Sequence, residues 1–336
     1  MRWPVLASAP RRWCLEIMRA SLVIMIVLAS SSRARADTTA DAEAWRAGLT
    51  DRIVGDLAAG KPLVVQVHVP LCDNDVIPCG NARLGDGDRP EGNLYWATTE
   101  GTTGWFGRRG GGWKQVLDAD GAAVALPEVL DVRVWRREVV TPRAWRGHGA
   151  PARYSLYVVA FAWRGERIDD ALRRYAEDLH GLTSASLALA DGTTLAIGGG
   201  AHVIAYVGHN RLMDLPGFDW RGFAARADTT PRGAVAIACH TAVYVQDVVP
   251  GPTRVPLLFT RDFLLASSAA LEGAVLALAG GGDYAAIRRG GAQGYATGGK
   301  KTLAHVFGAF SNPADRRWRT PGYSKAINAH AAQHAR

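Results

Sequence analysis

Two hydrophobic runs, each followed by a chemically reactive side chain, constrain the fold of this chain more than any other feature. The first run, Val203–Val207, continues through Gly208 to His209, and the second, Ala234–Ala238, leads directly to Cys239. Short apolar runs of this kind predict strands buried in a parallel sheet. The carboxyl ends of parallel strands lie at one edge of the sheet, where open α/β proteins bind their ligands. We therefore predict that an imidazole and a thiol meet at that edge.

Cysteine usage singles out one thiol. The chain contains four cysteines, at positions 14, 72, 79 and 239. Cys72 and Cys79 lie close together in a polar segment and are predicted to form a disulfide. Half of a metal site is the alternative, but the spacing is wider than that of the usual zinc pair and no second ligand pair is present, so we predict no metal and no cofactor. Cys14 lies in an N-terminal segment that is predicted to be removed, so Cys239 remains as an odd thiol, either a reactive nucleophile or a buried structural residue.

The N-terminal 36 residues have the features of an export signal. Positively charged residues flank a short apolar core, Leu22–Ala29, and Ala34-Arg35-Ala36 has the small-x-small form of a cleavage site. We predict a signal peptide over residues 1–36, with Asp37 as the first mature residue and a periplasmic or secreted protein. Arg11-Arg12 leaves a twin-arginine signal open, and Met18 is an alternative start. The apolar core is too short to span a bilayer, and we predict no transmembrane segment.

The net charge does not indicate a nucleic-acid-binding protein. The formal charge is +8, but residues 1–36 hold six arginines and one glutamate, which leaves +3 for the mature chain. Residues 313–336 carry +4 and are predicted to form a basic, flexible tail, with contact to a polyanion as the alternative. The body of the chain is close to neutral. A basic face within the folded domain is therefore not expected, and we predict no nucleic-acid partner.

Alternation of apolar runs and amphipathic segments predicts a single α/β domain over residues 37–312. We expect five or six strands in a mostly parallel central sheet flanked by helices, a Rossmann-like layer. Besides the two runs above, strands are predicted at 63–69, 131–140, 154–163 and 255–260, with the second of these as an edge strand and a small strand pair within 182–197. Helices are predicted at 40–59, 168–179, 262–279, 283–293 and 301–310, with Asp262 as an N-cap.

Residues 70–115 interrupt this pattern as a long loop that contains cysteine and tryptophan; we call it the insertion. Its many Gly, Asp and Asn residues exclude regular structure over most of its length. Its aromatic residues are Tyr95, Trp96, Trp105, Phe106 and Trp113. These rings and the predicted disulfide favour an ordered insertion, either with the rings covering the core or with the rings available to bind a sugar or a peptide.

The two reactive blocks together resemble a known family. A hydrophobic block that ends in His, here Val203–His209, followed by one that ends in Ala-Cys, here Val235–Cys239, is similar to the paired signature of the caspase-like clan of cysteine peptidases. That clan includes caspases, legumains, gingipains, clostripain and separase. The resemblance implies a caspase-like fold, a peptide or protein substrate, Cys239 as the nucleophile and His209 as the base and proton donor.

The same resemblance implies that Gly208 or Asn210, together with the Cys239 backbone N–H, lies near the oxyanion. Asn210 stands where the clan usually has glycine, and its side-chain amide is itself a possible oxyanion donor. Asp214 and Asp219, in the loop after His209, are both candidates to orient His209, although a solvated turn carboxylate is the alternative. His240 follows Cys239 directly and is expected to point to the opposite face of the strand.

A looser similarity connects the chain with secreted bacterial proteins that have no assigned substrate. It is carried by Leu71–Asn74, Asn93–Trp96 and Gly208–Asp214. The sequence therefore predicts an exported cysteine peptidase that hydrolyses peptide bonds by acyl transfer. The alternative is a non-catalytic binding or envelope protein that holds a partner with its aromatic insertion. The oligomeric state is left open by the sequence.

Overall fold

The computed structural model describes residues 40–215 and 217–318. The chain divides into two compact units, Met1–Ala44 and Trp45–Arg336. The predicted signal peptide and the mature start at Asp37 lie outside the described residues, as does the tail beyond residue 318. Within the described part, no helix is long and apolar enough to cross a membrane.

The described residues form nine helices and ten strands, apart from short 3-10 turns. The helices are α1 (40–58), α2 (Thr102–Phe106), α3 (Arg143–Arg146), α4 (Ile168–Leu179), α5 (Trp220–Ala224), α6 (Thr241–Val245), α7 (Ser268–Ala279), α8 (Tyr284–Gly298) and α9 (Leu303–Val306). The strands are β1 (Leu63–Pro70), β2 (Lys114–Ala119), β3 (Val129–Val140), β4 (Arg153–Trp163), β5 (Ser184–Ala188), β6 (Thr194–Gly198), β7 (Val203–Val207), β8 (Arg232–Ile237), β9 (Arg254–Thr260) and β10 (Phe310–Ser311).

Eight of these strands form one mostly parallel sheet, in the order β10-β9-β8-β7-β1-β4-β3-β2, and β5 and β6 form a separate hairpin. The five central strands from β9 to β4 are parallel to one another, whereas the pairs β10–β9, β4–β3 and β3–β2 are antiparallel. This confirms the predicted α/β class with a mostly parallel, helix-flanked sheet. The predicted number of five or six strands is too low, because β2 and β10 were not expected, and β3 is not an edge strand because β2 covers it.

The order of the parallel strands places a switch point between β1 and β7. Counted along the chain, the parallel strands run 2-1-3-4-5 across the sheet, which is one of the two common doubly wound orders. Strand order reverses between the first and third of these strands, so the loops after β1 and β7 diverge there. In doubly wound proteins, ligands commonly bind beyond the carboxyl ends of the strands at such a point.

Helices cover the sheet on both faces because the central strands are apolar on both sides. Every residue of β1, β7 and β8 is buried. One face, with Val64, Ile204 and Ala234, packs against the apolar stripe of α4. Helices α7 and α8 do not contribute to that cluster and pack on the other face, against β8 and β9. They lie very close together, since a Cβ on Gly273 would be 2.0 Å from the Gly290 carbonyl oxygen.

Two predicted helix boundaries are wrong near the C-terminus. Helix α7 begins at Ser268 with Ser267 at its N-cap, so residues 261–267 form an irregular loop instead of the helical turn expected after Asp262. We call this segment the β9–α7 loop. The segment 301–310, expected as one helix, contains the four-residue α9, a 3-10 turn and the start of β10.

The first residues of the predicted flexible tail are packed against the domain. Trp318 is buried and stacks on Phe259 of β9, with ring centroids 5.5 Å apart. Asp315 is also buried and lies 3.3 Å from the Arg288 guanidinium of α8. The folded part therefore extends at least to residue 318, beyond the predicted boundary at 312.

Candidate functional site

The two predicted reactive side chains follow neighbouring strands at the carboxyl edge of the sheet. Val207, the last residue of β7, pairs with Ile237, the last residue of β8. His209 and Cys239 each lie two residues beyond those ends, so the strand pairing brings both residues to the same edge. Gly208 separates the end of β7 from His209. There is little space for a larger residue here, because a Cβ at this position would be 3.1 Å from the Pro70 side chain of β1.

Asn210 connects the two blocks directly. Its side-chain amide donates a hydrogen bond to the Cys239 carbonyl at 2.6 Å, and its Oδ1 accepts one from the Leu212 backbone N–H at 3.2 Å. Its φ of −82° is an ordinary value, so glycine-like freedom is not used at this position. These two bonds make Asn210 a positioning residue for the Cys239 turn, and its expected role as a side-chain oxyanion donor stays a prediction.

Asp214 binds the imidazole of His209. The His209 Nε2 and Asp214 Oδ2 atoms are 2.5 Å apart, and the His209 carbonyl accepts a hydrogen bond from the Tyr206 hydroxyl at 2.9 Å. The His209 side chain is 14 % exposed and that of Asp214 is 45 % exposed. A carboxylate on Nε2 fixes the ring and the tautomer with hydrogen on that atom. Nδ1 is then the nitrogen with a free lone pair.

The surroundings of the Cys239 thiol favour its neutral form. It donates a hydrogen bond to the Leu264 carbonyl in the β9–α7 loop, with sulfur and oxygen 3.4 Å apart. Burial raises the pKa of the Cys239 thiol above its ordinary value, and the nearby Asp262 carboxylate adds to that rise. The thiol and the imidazole are thus brought to one edge, but each makes its hydrogen bond to another residue, Leu264 and Asp214 respectively.

His240 takes no part in activating the thiol. It has a left-handed backbone with φ of 53° at the N-cap of α6, which turns the chain sharply after Cys239. Its ring packs edge-on against Phe263, with centroids 4.3 Å apart. Burial lowers the pKa of His240, and its ring nitrogens make no hydrogen bond of ordinary geometry within the described residues. His240 therefore acts as a packing residue beneath the β9–α7 loop.

The backbone N–H of Gly208 is not a free oxyanion donor. It donates to the Ile237 carbonyl at 3.3 Å and so extends the pairing of β7 with β8. The N–H groups of Asn210 and Cys239 lie beyond the strands and donate to no other residue of the described part. Of the backbone groups expected near the oxyanion, these two remain.

The insertion borders the site and is fixed at its base. Cys72 and Cys79 form a disulfide, as predicted, with an S–S distance of 2.04 Å, which fits an exported protein. The side chain of Asn93 is bonded to both backbone groups of Cys72, accepting from its N–H at 2.9 Å and donating to its carbonyl at 2.7 Å. Tyr95, two residues further on, is buried, and burial together with the nearby Cys239 thiol raises the pKa of its hydroxyl.

The aromatic residues of the insertion are mostly packed inside. Tyr95, Trp96, Trp105 and Phe106 are buried, and Trp113 is half-buried. Glu272 of α7 anchors these residues of the insertion to the domain. Its carboxylate accepts hydrogen bonds from the indole N–H groups of Trp105 and Trp113, at 2.7 and 2.6 Å, and from Arg108 at 2.6 Å. Core packing, one of the two roles considered for these rings, is therefore the one they have, and little aromatic surface remains for a partner.

A buried charged cluster beneath the sheet edge was not predicted. His68 of β1 and Asp178 of α4 are fully buried, with His68 Nε2 3.0 Å from Asp178 Oδ2. Asp178 also accepts from Arg174 at 2.7 Å and from Gln66. Burial alone would raise the pKa of Asp178, but the His68 hydrogen bond and the Arg174 charge outweigh it and lower the pKa. The cluster ties α4 to β1 and is structural.

The comparisons leave the site to be interpreted from its geometry. No protein-family model matches the chain, and neither the curated proteins nor the solved structures include a match to it. Among residues 40–215 and 217–318, no group of three His, Cys, Asp or Glu side chains is arranged to hold a metal ion.

Proposed function

We propose that this chain is a cysteine peptidase with Cys239 as nucleophile, His209 as general base and acid, and Asp214 as the residue that orients His209. The observation that carries the proposal is the convergence of the His209–Asp214 pair and Cys239 at adjacent strand ends, joined by the Asn210–Cys239 hydrogen bond. The sheet order supports a crevice at this edge. A caspase-like fold is part of the proposal.

The reaction follows the usual acyl-transfer course. His209 Nδ1 takes the proton of the Cys239 thiol as the sulfur attacks the peptide carbonyl carbon. The C–N bond of the tetrahedral intermediate then breaks, and the leaving amine receives that proton from His209. Water attacks the thioester with His209 again as base, which releases the acid and restores the thiol. The Asp214 carboxylate stabilises the imidazolium that forms twice in this cycle.

The oxyanion donors in this proposal are the backbone N–H groups of Asn210 and Cys239. Both lie beyond the ends of β7 and β8 and are free of other backbone acceptors within the described residues. Preorganised N–H donors of this kind typically contribute a factor of about 10²–10³ to the rate. Since Asn210 already holds the Cys239 carbonyl, its side chain also fixes the separation of the two donors.

The test is cleavage of a peptide library by the full chain, compared with the variants Cys239→Ala, His209→Ala and Asp214→Asn. We expect cleavage that disappears in Cys239→Ala and falls by about 10²-fold or more in His209→Ala. The matched control is His148→Ala, an exposed histidine in the loop after α3, which should cleave as the unchanged chain does. Absence of cleavage in the unchanged chain, or cleavage that survives Cys239→Ala, would disprove the proposal.

One observation favours a non-catalytic binding protein as the second candidate. The thiol donates to Leu264 and its pKa is raised, whereas a thiolate stabilised by an imidazole has a lowered pKa. Iodoacetamide labelling of Cys239, read by peptide mass spectrometry that separates it from Cys14, should accordingly be slow at pH 7 for the resting protein. Slow labelling in the presence of peptide cleavage would favour a thiol activated only with substrate bound, and slow labelling without cleavage would favour the binding protein.

A further inference from the structure

The β9–α7 loop places apolar side chains next to the candidate nucleophile. Phe263 is 65 % exposed and Leu265 is 40 % exposed, and between them the Leu264 carbonyl accepts the hydrogen bond from the Cys239 thiol. In the described part of the chain, the one other large hydrophobic residue with comparable exposure is Val140, at the end of β3. Exposed apolar residues are therefore concentrated beside the thiol.

The loop is held in place by contacts with His240 and by a hydrogen bond within the loop. The His240 backbone N–H donates to the Asp262 carbonyl at 3.1 Å, and the Phe263 N–H is bonded to the Asp262 carboxylate at 2.8 Å. The Phe263 ring stands perpendicular to the His240 ring at 4.3 Å. A ring fixed in this way offers a preformed apolar surface and loses little freedom when a ligand covers it.

The sheet order decides which part of a peptide meets this surface. Strand β8, which carries Cys239, lies between β7 on one side and β9 on the other. His209 on the β7 side protonates the leaving amine, so the amine half of the substrate lies on that side. The acyl half, with the residue that precedes the scissile bond, then lies toward the β9–α7 loop.

The charges around the thiol disfavour an acidic residue at that position. Asp214 and Asp262 are both solvent-accessible, and the Asp262 charge is close enough to contribute to the raised pKa of Cys239. Arg211, which lies two residues after His209, is bonded to Asp169 at 2.5 Å, and Arg261 of the loop itself is buried and bonded to the Arg317 carbonyl. An aspartate or glutamate of the substrate at this position would therefore lie near the carboxylates of Asp214 and Asp262, and the Arg211 guanidinium would not be available to pair with it.

We propose that Phe263 and Leu265 are specificity-determining residues that select an apolar side chain on the acyl side of the scissile bond. The inference rests on the proposed peptidase function and adds the substrate class. Two apolar side chains that cover one leucyl or phenylalanyl side chain account for a preference of about tenfold or more over glycine.

The experiment compares kcat/KM for fluorogenic peptides that differ at the residue before the scissile bond: leucine, phenylalanine, glycine, aspartate and lysine. We expect leucine and phenylalanine to exceed glycine by about tenfold and aspartate by more. In the double variant Phe263→Ser/Leu265→Ser the leucine-to-glycine ratio should fall by about tenfold, whereas Phe263→Leu should keep the ratio. Val140→Ser is the matched control, since it removes an exposed apolar side chain away from the thiol.

The outcomes separate this inference from the proposed function. If no peptide is cleaved and Cys239 is not acylated by any of them, both fail. Cleavage that depends on Cys239 but prefers aspartate or lysine, or a leucine-to-glycine ratio that is the same in Phe263→Ser/Leu265→Ser and Val140→Ser, overturns the inference and leaves the peptidase proposal standing. If the circular dichroism spectrum of the double variant is unchanged, a fall in its leucine-to-glycine ratio does not come from unfolding.

Discussion

Replacement of Glu272 by glutamine tests how far one carboxylate holds the insertion in place. One oxygen accepts from Trp105 and Arg108, and the other accepts from Trp113 at 2.6 Å and from Arg137 at 3.3 Å. A glutamine amide turns one oxygen into an NH₂ group that faces N–H donors. Each charge-assisted hydrogen bond lost costs about 1.5–3 kcal/mol. The Arg108 side chain is 32 % exposed and can be hydrated when its bond is lost, whereas the buried Trp105 indole cannot. We therefore expect the free energy of unfolding to fall by about 3 kcal/mol in total.

Two measurements check this value. Urea unfolding followed by tryptophan fluorescence gives the loss in stability, and tryptic cleavage after Arg108 or Arg109 reports detachment of the insertion. The control is Glu138→Gln, whose carboxylate also accepts from an arginine but is 43 % exposed, so its loss should be about 0.5 kcal/mol or less. Equal urea midpoints for the two variants, with equal rates of tryptic cleavage, would refute the assignment of Glu272 as the residue that docks the insertion.

Three further predictions follow from individual contacts. Burial lowers the pKa of His180 to about 4, so the unfolded chain takes up this proton at a higher pH than the folded chain does. The free energy of unfolding should therefore fall as the pH drops from about 6.5 to 4. In thermal midpoints measured across that range, His180→Phe should weaken the pH dependence, whereas the control His148→Phe should leave it unchanged. The Cys72→Ser/Cys79→Ser variant should lose about 2.5 kcal/mol in urea unfolding, because the disulfide closes a short loop; an unchanged midpoint would contradict this. Asn210→Ala should lower the free energy of unfolding by about 1–3 kcal/mol and should also slow peptide cleavage. A variant that changes only one of these two quantities would argue against the positioning role of Asn210.

The strands that carry the site were predictable because their signal is local. Runs such as 203–207 and 234–237 are apolar at every position, which only a strand buried on both faces requires. Strand β2 has a mixed sequence with exposed residues, and β10 has two residues, so both depend on their neighbours for their conformation. Asp262 has the form of an N-cap, but the residues after it contact Cys239 and His240 instead of starting α7. Tertiary contacts outweigh the local preference there.

The same distinction applies to the site. His209 and Cys239 were found because each ends an apolar run, and Asp214 was a candidate because it lies five residues after His209. The partners that set the state of the thiol are distant in sequence. Leu264, which accepts from the thiol, is 25 residues from Cys239, and the pair that docks the insertion, Glu272 and Trp105, is separated by 167 residues. No spacing rule connects such residues, since their proximity is a consequence of strand order and helix packing.

A raised thiol pKa is compatible with the proposed role of Cys239 as a nucleophile in a protein that also contains a disulfide. Thiol–disulfide exchange and oxidation both proceed through the thiolate, so the raised pKa of Cys239 slows both reactions of this thiol. A peptide that covers the β9–α7 loop competes for the space next to that hydrogen bond and brings the carbonyl that the sulfur attacks. Release of the thiol from Leu264 and transfer of its proton to His209 would then occur together, and reactivity would depend on an occupied site.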